Sequence, residues 1–156
     1  AVMSWRPRER KLEIMKDSRI GAMGAMALIA VLALKVAWLG AAGSGWLRAV
    51  WLAPVLGRWA DIYGIFWFPP AREGGLGHEF QSQMRRFHFV FGTVSALALA
   101  LLIAGTRGLV AFALVWLATQ LLAMWWTRDL GGLTGDTYGA LCEIAEVVTL
   151  AVMSSH

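Results

Sequence analysis

Three carboxylates follow a glycine-rich turn near the end of the chain, and their spacing is suited to holding a cation. The turn reads Gly-Gly-Leu-Thr-Gly over residues 131–135, and Asp136, Glu143 and Glu146 come after it. On a helix that starts near Asp136, these acids and Gly139 lie along one stripe because they are three or four residues apart. Glu143 and Glu146 can share one ion, whereas Asp136 lies about 10 Å along the axis from Glu143. Such oxygen ligands suit Mg²⁺, which also binds substrate phosphates.

Each of these acids also has a structural explanation. Asp136 would be an N-cap or first-turn acid that the helix dipole favours. Glu143 and Glu146 would pair with Arg58 or Lys35, because acids in an apolar helix are costly unless they are paired or bind a ligand. The sequence alone does not decide between these structural explanations and a metal site.

The glycine-rich turn is itself a candidate anion site. Gly132, Thr134 and Gly135 stand where a helix begins, and backbone N–H groups there can bind a phosphate. A plain interfacial turn is the alternative, and the acids that follow favour the site.

Charged residues near the start of the chain form a second candidate. Leu12 and Met15 are three residues apart, which predicts an amphipathic interfacial helix. Lys16 and Arg19 share one face and could clamp a phosphate, with Asp17 available for a cation. Juxtamembrane charge that only sets topology is the alternative.

Two further candidates lie in the first half of the chain. Arg58 and Asp61 are three residues apart inside an apolar run, as a structural ion pair or a phosphate ligand would be. Arg72, Gly74 and Gly75 belong to a glycine-rich loop over residues 72–77 that could bind substrate, or serve as an ordinary connector.

Composition places these residues in a polytopic helical membrane protein of the all-α class. The chain has 156 residues, of which 58% are hydrophobic and 15% charged, and its mean hydropathy is +0.60. A soluble domain of this length needs more polar surface. The single cysteine, Cys142, excludes an internal disulfide framework and a cysteine-based zinc site. The net charge of +4 is explained by membrane topology, so nucleic acid is not an expected partner.

The apolar runs predict five transmembrane helices, since about 20 residues cross a bilayer. We expect one transmembrane domain over residues 1–156, with a cytoplasmic amphipathic segment over 1–19 and a helical bundle over 20–153. The second run is closed by Pro69 and Pro70, which cannot continue a helix. The five predicted spans cover residues 20–39, 46–68, 87–104, 109–126 and 136–153.

Lys and Arg residues concentrate in the N-terminal segment and in the loops over 69–87 and 127–135. The positive-inside rule places all three segments on the cytoplasmic face of the membrane, and we expect that membrane to be the cell inner membrane. Every candidate for chemistry then faces the cytoplasm, which suits an enzyme with a cytoplasmic substrate.

Three segments together resemble the cobalamin synthase family, also called adenosylcobinamide-GDP ribazoletransferases. They are residues 12–21 (Leu-Glu-Ile-Met-Lys-Asp-Ser-Arg-Ile-Gly), residues 53–59 (Ala-Pro-Val-Leu-Gly-Arg-Trp) and residues 131–146. The resemblance covers the whole chain in the expected order. It implies an Mg²⁺-dependent membrane transferase that joins adenosylcobinamide-GDP to α-ribazole or its 5′-phosphate and releases GMP.

The resemblance also implies roles for individual residues. Asp136, Lys16 and Arg19 would be catalytic, and Asp136 would hold metal with aspartates of an upstream Asp-rich motif. That motif is absent here, and the chain begins Ala-Val-Met without an initiator methionine. We therefore expect this 156-residue chain to be inactive alone. The expected partners are the two substrates and the lipid bilayer, and assembly into a homo-oligomer is left open.

A membrane transporter or ion pathway that uses Glu143 and Glu146 is the alternative function. Transporters usually show paired repeats and broken helices near the midplane, and the sequence shows neither.

Overall fold

The computed structural model describes residues 7–15, 21–74 and 76–155, and their architecture is helical, as predicted. The one β-type pairing within these ranges is an isolated bridge between Pro70 and Leu133. The elements in chain order are α1 (Arg8–Ile14), α2 (Ala22–Ala41), a single 3₁₀ turn (Gly43–Gly45), α3 (Trp46–Trp67), α4 (Leu76–Gln83), α5 (Arg86–Leu130) and α6 (Gly135–Ser154).

Helix α5 consists of two arms that meet at Gly105, where the backbone is non-helical with φ 58° and ψ −135°. The chain reverses direction there, so that the two arms come close together. A Cβ atom on Gly108 in the second arm would overlap the carbonyl oxygen of Ala100 in the first. The sequence predicts a link over residues 105–108, but helix resumes directly after Gly105. Glycine is favoured at this position because side chains rarely tolerate such a conformation.

Three helices are long and apolar enough to cross a membrane within the described ranges: α2, α5 and α6. Helix α3 has 22 residues but carries Arg48, Arg58 and Asp61. The count of five spans therefore stays a prediction, while the membrane character of the chain is supported by these helices.

Helix α3 lies at the centre and packs against both α5 and α6. The two helices α3 and α6 approach closely at Gly57, where a Cβ atom would come within 3.0 Å of Cys142 Sγ. Small residues commonly allow such contact between membrane helices. Helix α2 packs mainly on α6 and has no fully buried residue. The fully buried residues on α3 include Leu52, Leu56 and Ala60.

Two polar segments differ from their predicted form. The expected flexible loop over 72–77 ends in α4, a short helix that the sequence did not predict. Helix α1 is not a freely exposed interfacial helix, because it packs on α5 and buries Lys11. Packing against distant segments, which local patterns do not encode, explains both differences.

Candidate functional site

The loop after α3 and the turn before α6 are joined by backbone hydrogen bonds. Leu133 N–H donates to the Pro69 carbonyl and Ala71 N–H donates to the Leu133 carbonyl, each at 2.8 Å. Gly132 permits this approach, because a Cβ atom on it would lie 2.5 Å from Pro69 O and 2.6 Å from Ala71 N. The candidate residue Gly132 therefore has a clear structural role in closing the two loops together.

Helix α1 is fastened to the same place by two cations. Arg8 Nε donates to Leu130 O at 2.7 Å, and Arg8 Nη2 donates to Ala71 O at 3.1 Å. Lys11 Nζ lies 2.6 and 2.8 Å from the two carboxylate oxygens of Asp129. Sequence reasoning counted both cations only as topology charges. The negative end of the α5 dipole favours cations at this place, but nothing local in the sequence names these two as the cations that lie there.

A cavity of about 120 Å³ opens where these segments meet. Four of the predicted site residues share it, namely Arg72, Thr134, Gly135 and Asp136. Its lining thus combines a guanidinium, a helix N-terminus and a carboxylate. The lining residues are Met15, Pro70, Arg72, Gly77, Leu133, Thr134, Gly135 and Asp136.

Helix α6 begins with a reciprocal cap. Thr134 Oγ1 accepts from Thr137 N–H at 3.3 Å, and Thr137 Oγ1 accepts from Thr134 N–H at 2.7 Å. Thr134 is buried and both groups are engaged in the cap. The N-cap is therefore Thr134, and Asp136 is an exposed acid of the first turn that lines the cavity.

Glu143 and Glu146 lie further along α6, where both contact Lys35 of α2. Lys35 Nζ is 2.6 Å from Glu143 Oε2 and 2.6 Å from Glu146 Oε2. The structure thus shows the paired arrangement that the sequence left open. Across residues 7–15, 21–74 and 76–155, no three His, Cys, Asp or Glu side chains form a group that could hold a metal ion.

Arg58 does not line the cavity and belongs to a second cluster of side chains, formed by Lys35, Arg58, Asp61, Cys142, Glu143 and Glu146. Its Nη1 lies 3.5 Å from Asp61 Oδ2 and donates to Cys142 Sγ at 3.4 Å. Cys142 Sγ in turn lies 3.8 Å from Glu146 Oε1. The predicted ion pair between Arg58 and Asp61 is present, with the Arg58 side chain 75% exposed.

Of the remaining candidate residues from the sequence, the structure describes only Gly74. Gly74 has a left-handed backbone with φ 72° and lies outside the cavity. Lys16, Asp17, Arg19 and Gly75 lie outside the described residues. Met15, directly before Lys16 in the chain, lines the cavity.

The family of cobalamin-5-phosphate synthases matches residues 1–154. An adenosylcobinamide-GDP ribazoletransferase of Roseiflexus sp. (strain RS-1) is 70% identical over 153 residues, covering 98% of this chain and 57% of the relative. The protein of that name from Herpetosiphon aurantiacus is 60% identical over 157 residues, covering 99% of this chain and 62% of the relative.

A more distant protein of the same name, from Desulforamulus reducens, is 43% identical over 147 residues, covering 93% of this chain and 59% of the relative. The chain thus spans about three-fifths of the length of these relatives. No solved structure matches it. Since the family match extends over nearly every residue, the chain belongs to the cobalamin-5-phosphate synthase family.

Proposed function

We propose that the full-length protein is a transferase that joins adenosylcobinamide-GDP to α-ribazole or its 5′-phosphate and releases GMP. Membership of the family and the name shared by its relatives support this reaction. The observation that carries the assignment of the site is the cavity at the start of α6, which Arg72 and Asp136 both line.

The cavity offers the groups that a transfer at a diphosphate needs. In this transfer, an acceptor hydroxyl oxygen of the ribazole bonds to the cobinamide-linked phosphorus as the bond from that phosphorus to GMP breaks. GMP leaves, and the hydroxyl proton is released with it. Arg72 would bind a phosphate through its guanidinium. The N-terminus of α6 at Gly135 would add its positive dipole. Such reactions depend mainly on positioning and on neutralising charge.

Asp136 is the residue to which we assign a Mg²⁺ ion. Magnesium is commonly held by one or two carboxylates together with waters and substrate phosphates. Asp136 is an exposed carboxylate in the lining of the cavity that would bind the phosphates, which fits that preference. When bound, the ion would neutralise charge on the diphosphate. Glu143 and Glu146 contact Lys35 instead, so the proposal does not place the ion there.

The cavity would open to the cytoplasmic side of the cell inner membrane. Arg72 lies in the loop that lines the cavity and Arg128 lies in the last turn of α5 next to it, and positive residues favour the cytoplasmic side. Lys16 and Arg19 follow Met15 in the sequence and stay predicted phosphate contacts. We also expect the 156-residue chain alone to release no GMP.

Asp136→Asn in the full-length protein tests the assignment. We expect kcat for GMP release to fall by about 10²–10³-fold, as on loss of one strong electrostatic contact in a transition state. Insertion into the membrane should be unchanged. Turnover should also stop with a chelator and return with Mg²⁺.

Glu143→Gln is the matched comparison, because it makes the same acid-to-amide change two turns further along α6. Turnover within about threefold of the unmodified protein is expected for it. Full activity of the Asp136 variant would remove that residue from the site. Loss of activity only in the Glu143 variant would move the metal to the second cluster.

A further inference from the structure

Arg8 contacts three parts of the molecule that surround the cavity. Its guanidinium donates to the last residue of α5, Leu130, at 2.7 Å and to Ala71 in the loop after α3 at 3.1 Å. It also lies over Gly131, where a Cβ atom would come within 2.5 Å of Arg8 Cζ. One side chain of α1 thus holds together the two loops that carry the site.

The bond to Ala71 bears directly on Arg72. The Ala71 carbonyl belongs to the peptide group that joins Ala71 to Arg72, so its direction fixes where the Arg72 backbone lies. The Ala71 N–H is held at the same time by Leu133 O at 2.8 Å. Both peptide groups of Ala71 are therefore held in place: the one before it by Leu133 in the neighbouring turn, and the one after it by Arg8.

We infer that Arg8 is a positioning residue that places Arg72 for binding the diphosphate of the substrate. The inference rests on the proposed function, because it takes Arg72 as the phosphate contact. Arg8 does not line the cavity and acts through the backbone of its neighbours.

Arginine suits this role better than lysine. Its planar guanidinium directs donors at two carbonyls in fixed directions, and lysine offers a single mobile charge. The carbonyl at the end of α5 also carries the negative end of the helix dipole, which favours a cation there. Arg8→Lys therefore keeps the charge and loses the fixed geometry.

A double-mutant cycle in the full-length protein tests the inference. We expect Arg8→Ala to raise the KM for adenosylcobinamide-GDP about tenfold, and Arg72→Ala to raise it at least as much. In the Arg72→Ala background the Arg8 change should add less than twofold, because coupled residues are non-additive. A merely structural role would lower kcat through loss of folded enzyme and leave KM unchanged.

Arg10→Ala is the matched control. It removes the same charge from the same helix, and Arg10 forms an exposed ion pair with Glu13 on α1 itself. Its KM should stay within twofold of the unmodified protein. If Arg8→Ala does not fold, Arg8→Lys replaces it, with an expected severalfold rise in KM.

The outcomes separate the two proposals. An unchanged KM in Arg72→Ala would overturn the use of Arg72 in the proposed function, and the inference with it. If Arg72→Ala raises KM, but Arg8→Ala raises KM by the same factor in the unmodified protein and in the Arg72→Ala protein, the inference alone would be overturned. An unchanged KM for both Arg8 variants would also overturn the inference alone.

Discussion

Gly132→Ala should break the junction between the two loops that form the cavity. A Cβ atom there would lie 2.5 Å from Pro69 O and 2.6 Å from both Ala71 N and Pro70 C. All three are backbone atoms, so no flexible side chain can move aside. The loop would have to shift, and the two 2.8 Å hydrogen bonds through Leu133 would lengthen or break.

The expected cost follows from these contacts. Each lost hydrogen bond removes about 1 kcal/mol and the forced overlap costs about 1–3 kcal/mol, which together give about 3–5 kcal/mol of unfolding free energy. The same shift moves the neighbouring cavity residues Arg72 and Asp136. Both stability and GMP release should therefore fall.

The assay is a thermal melt of the full-length protein in detergent, followed by tryptophan fluorescence, together with GMP release. Gly139→Ala is the control, because a Cβ atom at Gly139 meets nothing within 4 Å. At about 2–4 °C per kcal/mol for a chain of this size, we expect an apparent Tm about 6–20 °C lower for Gly132→Ala. For Gly139→Ala we expect an unchanged or slightly higher value, since alanine favours the helix by about 1 kcal/mol. A Gly132 variant with unaltered Tm and unaltered GMP release would refute the reasoning.

Two further variants probe the second cluster by SDS-induced unfolding. Lys35→Met leaves Glu143 and Glu146 without their ammonium partner and should lower the free energy of unfolding by about 2–4 kcal/mol. The loss is smaller than for a fully buried pair because the Glu143 side chain is 45% exposed. Changing both acids to Gln in the Lys35→Met protein should restore stability, and a Lys35→Met protein as stable as the unmodified one would contradict the pairing. Gly57→Ala sets a Cβ atom 3.0 Å from Cys142 Sγ and should cost about 1–3 kcal/mol. The same Cβ atom would lie 3.0 Å from Glu146 Cγ, so adding Cys142→Ala should recover only part of that loss. An unaffected Gly57 variant would show that α3 and α6 can move apart without cost.

The helices were predictable where apolar run length and proline decide the outcome. The predicted span over 46–68 corresponds to α3 at Trp46–Trp67, which ends before Pro69 and Pro70. The predicted span over 136–153 corresponds to α6 at Gly135–Ser154. Local composition is sufficient in these cases because a membrane helix satisfies its own backbone groups.

The junction was not predictable, because its contacts join residues far apart in the chain. Arg8 and Leu130 are 122 positions apart, and Arg8 and Ala71 are 63 apart. Residue spacing along one helix carries no information about such pairs. The sequence could only place the loops on one side of the membrane through their positive charge.

The three acids on one stripe of α6 show why residue type alone does not distinguish a candidate ligand-binding carboxylate from carboxylates that form ion pairs. Asp136 is exposed beside the cavity at the first turn, where water and ligands can reach a carboxylate. Glu143 and Glu146 lie two to three turns further along an apolar helix, where an uncompensated charge is costly. Lys35 supplies the compensation from α2. An acid in an apolar helix therefore indicates a binding site only when a neighbouring cation does not already account for it. In α6, Lys35 accounts for Glu143 and Glu146, so the candidate binding site lies at the first turn of the helix, with Asp136.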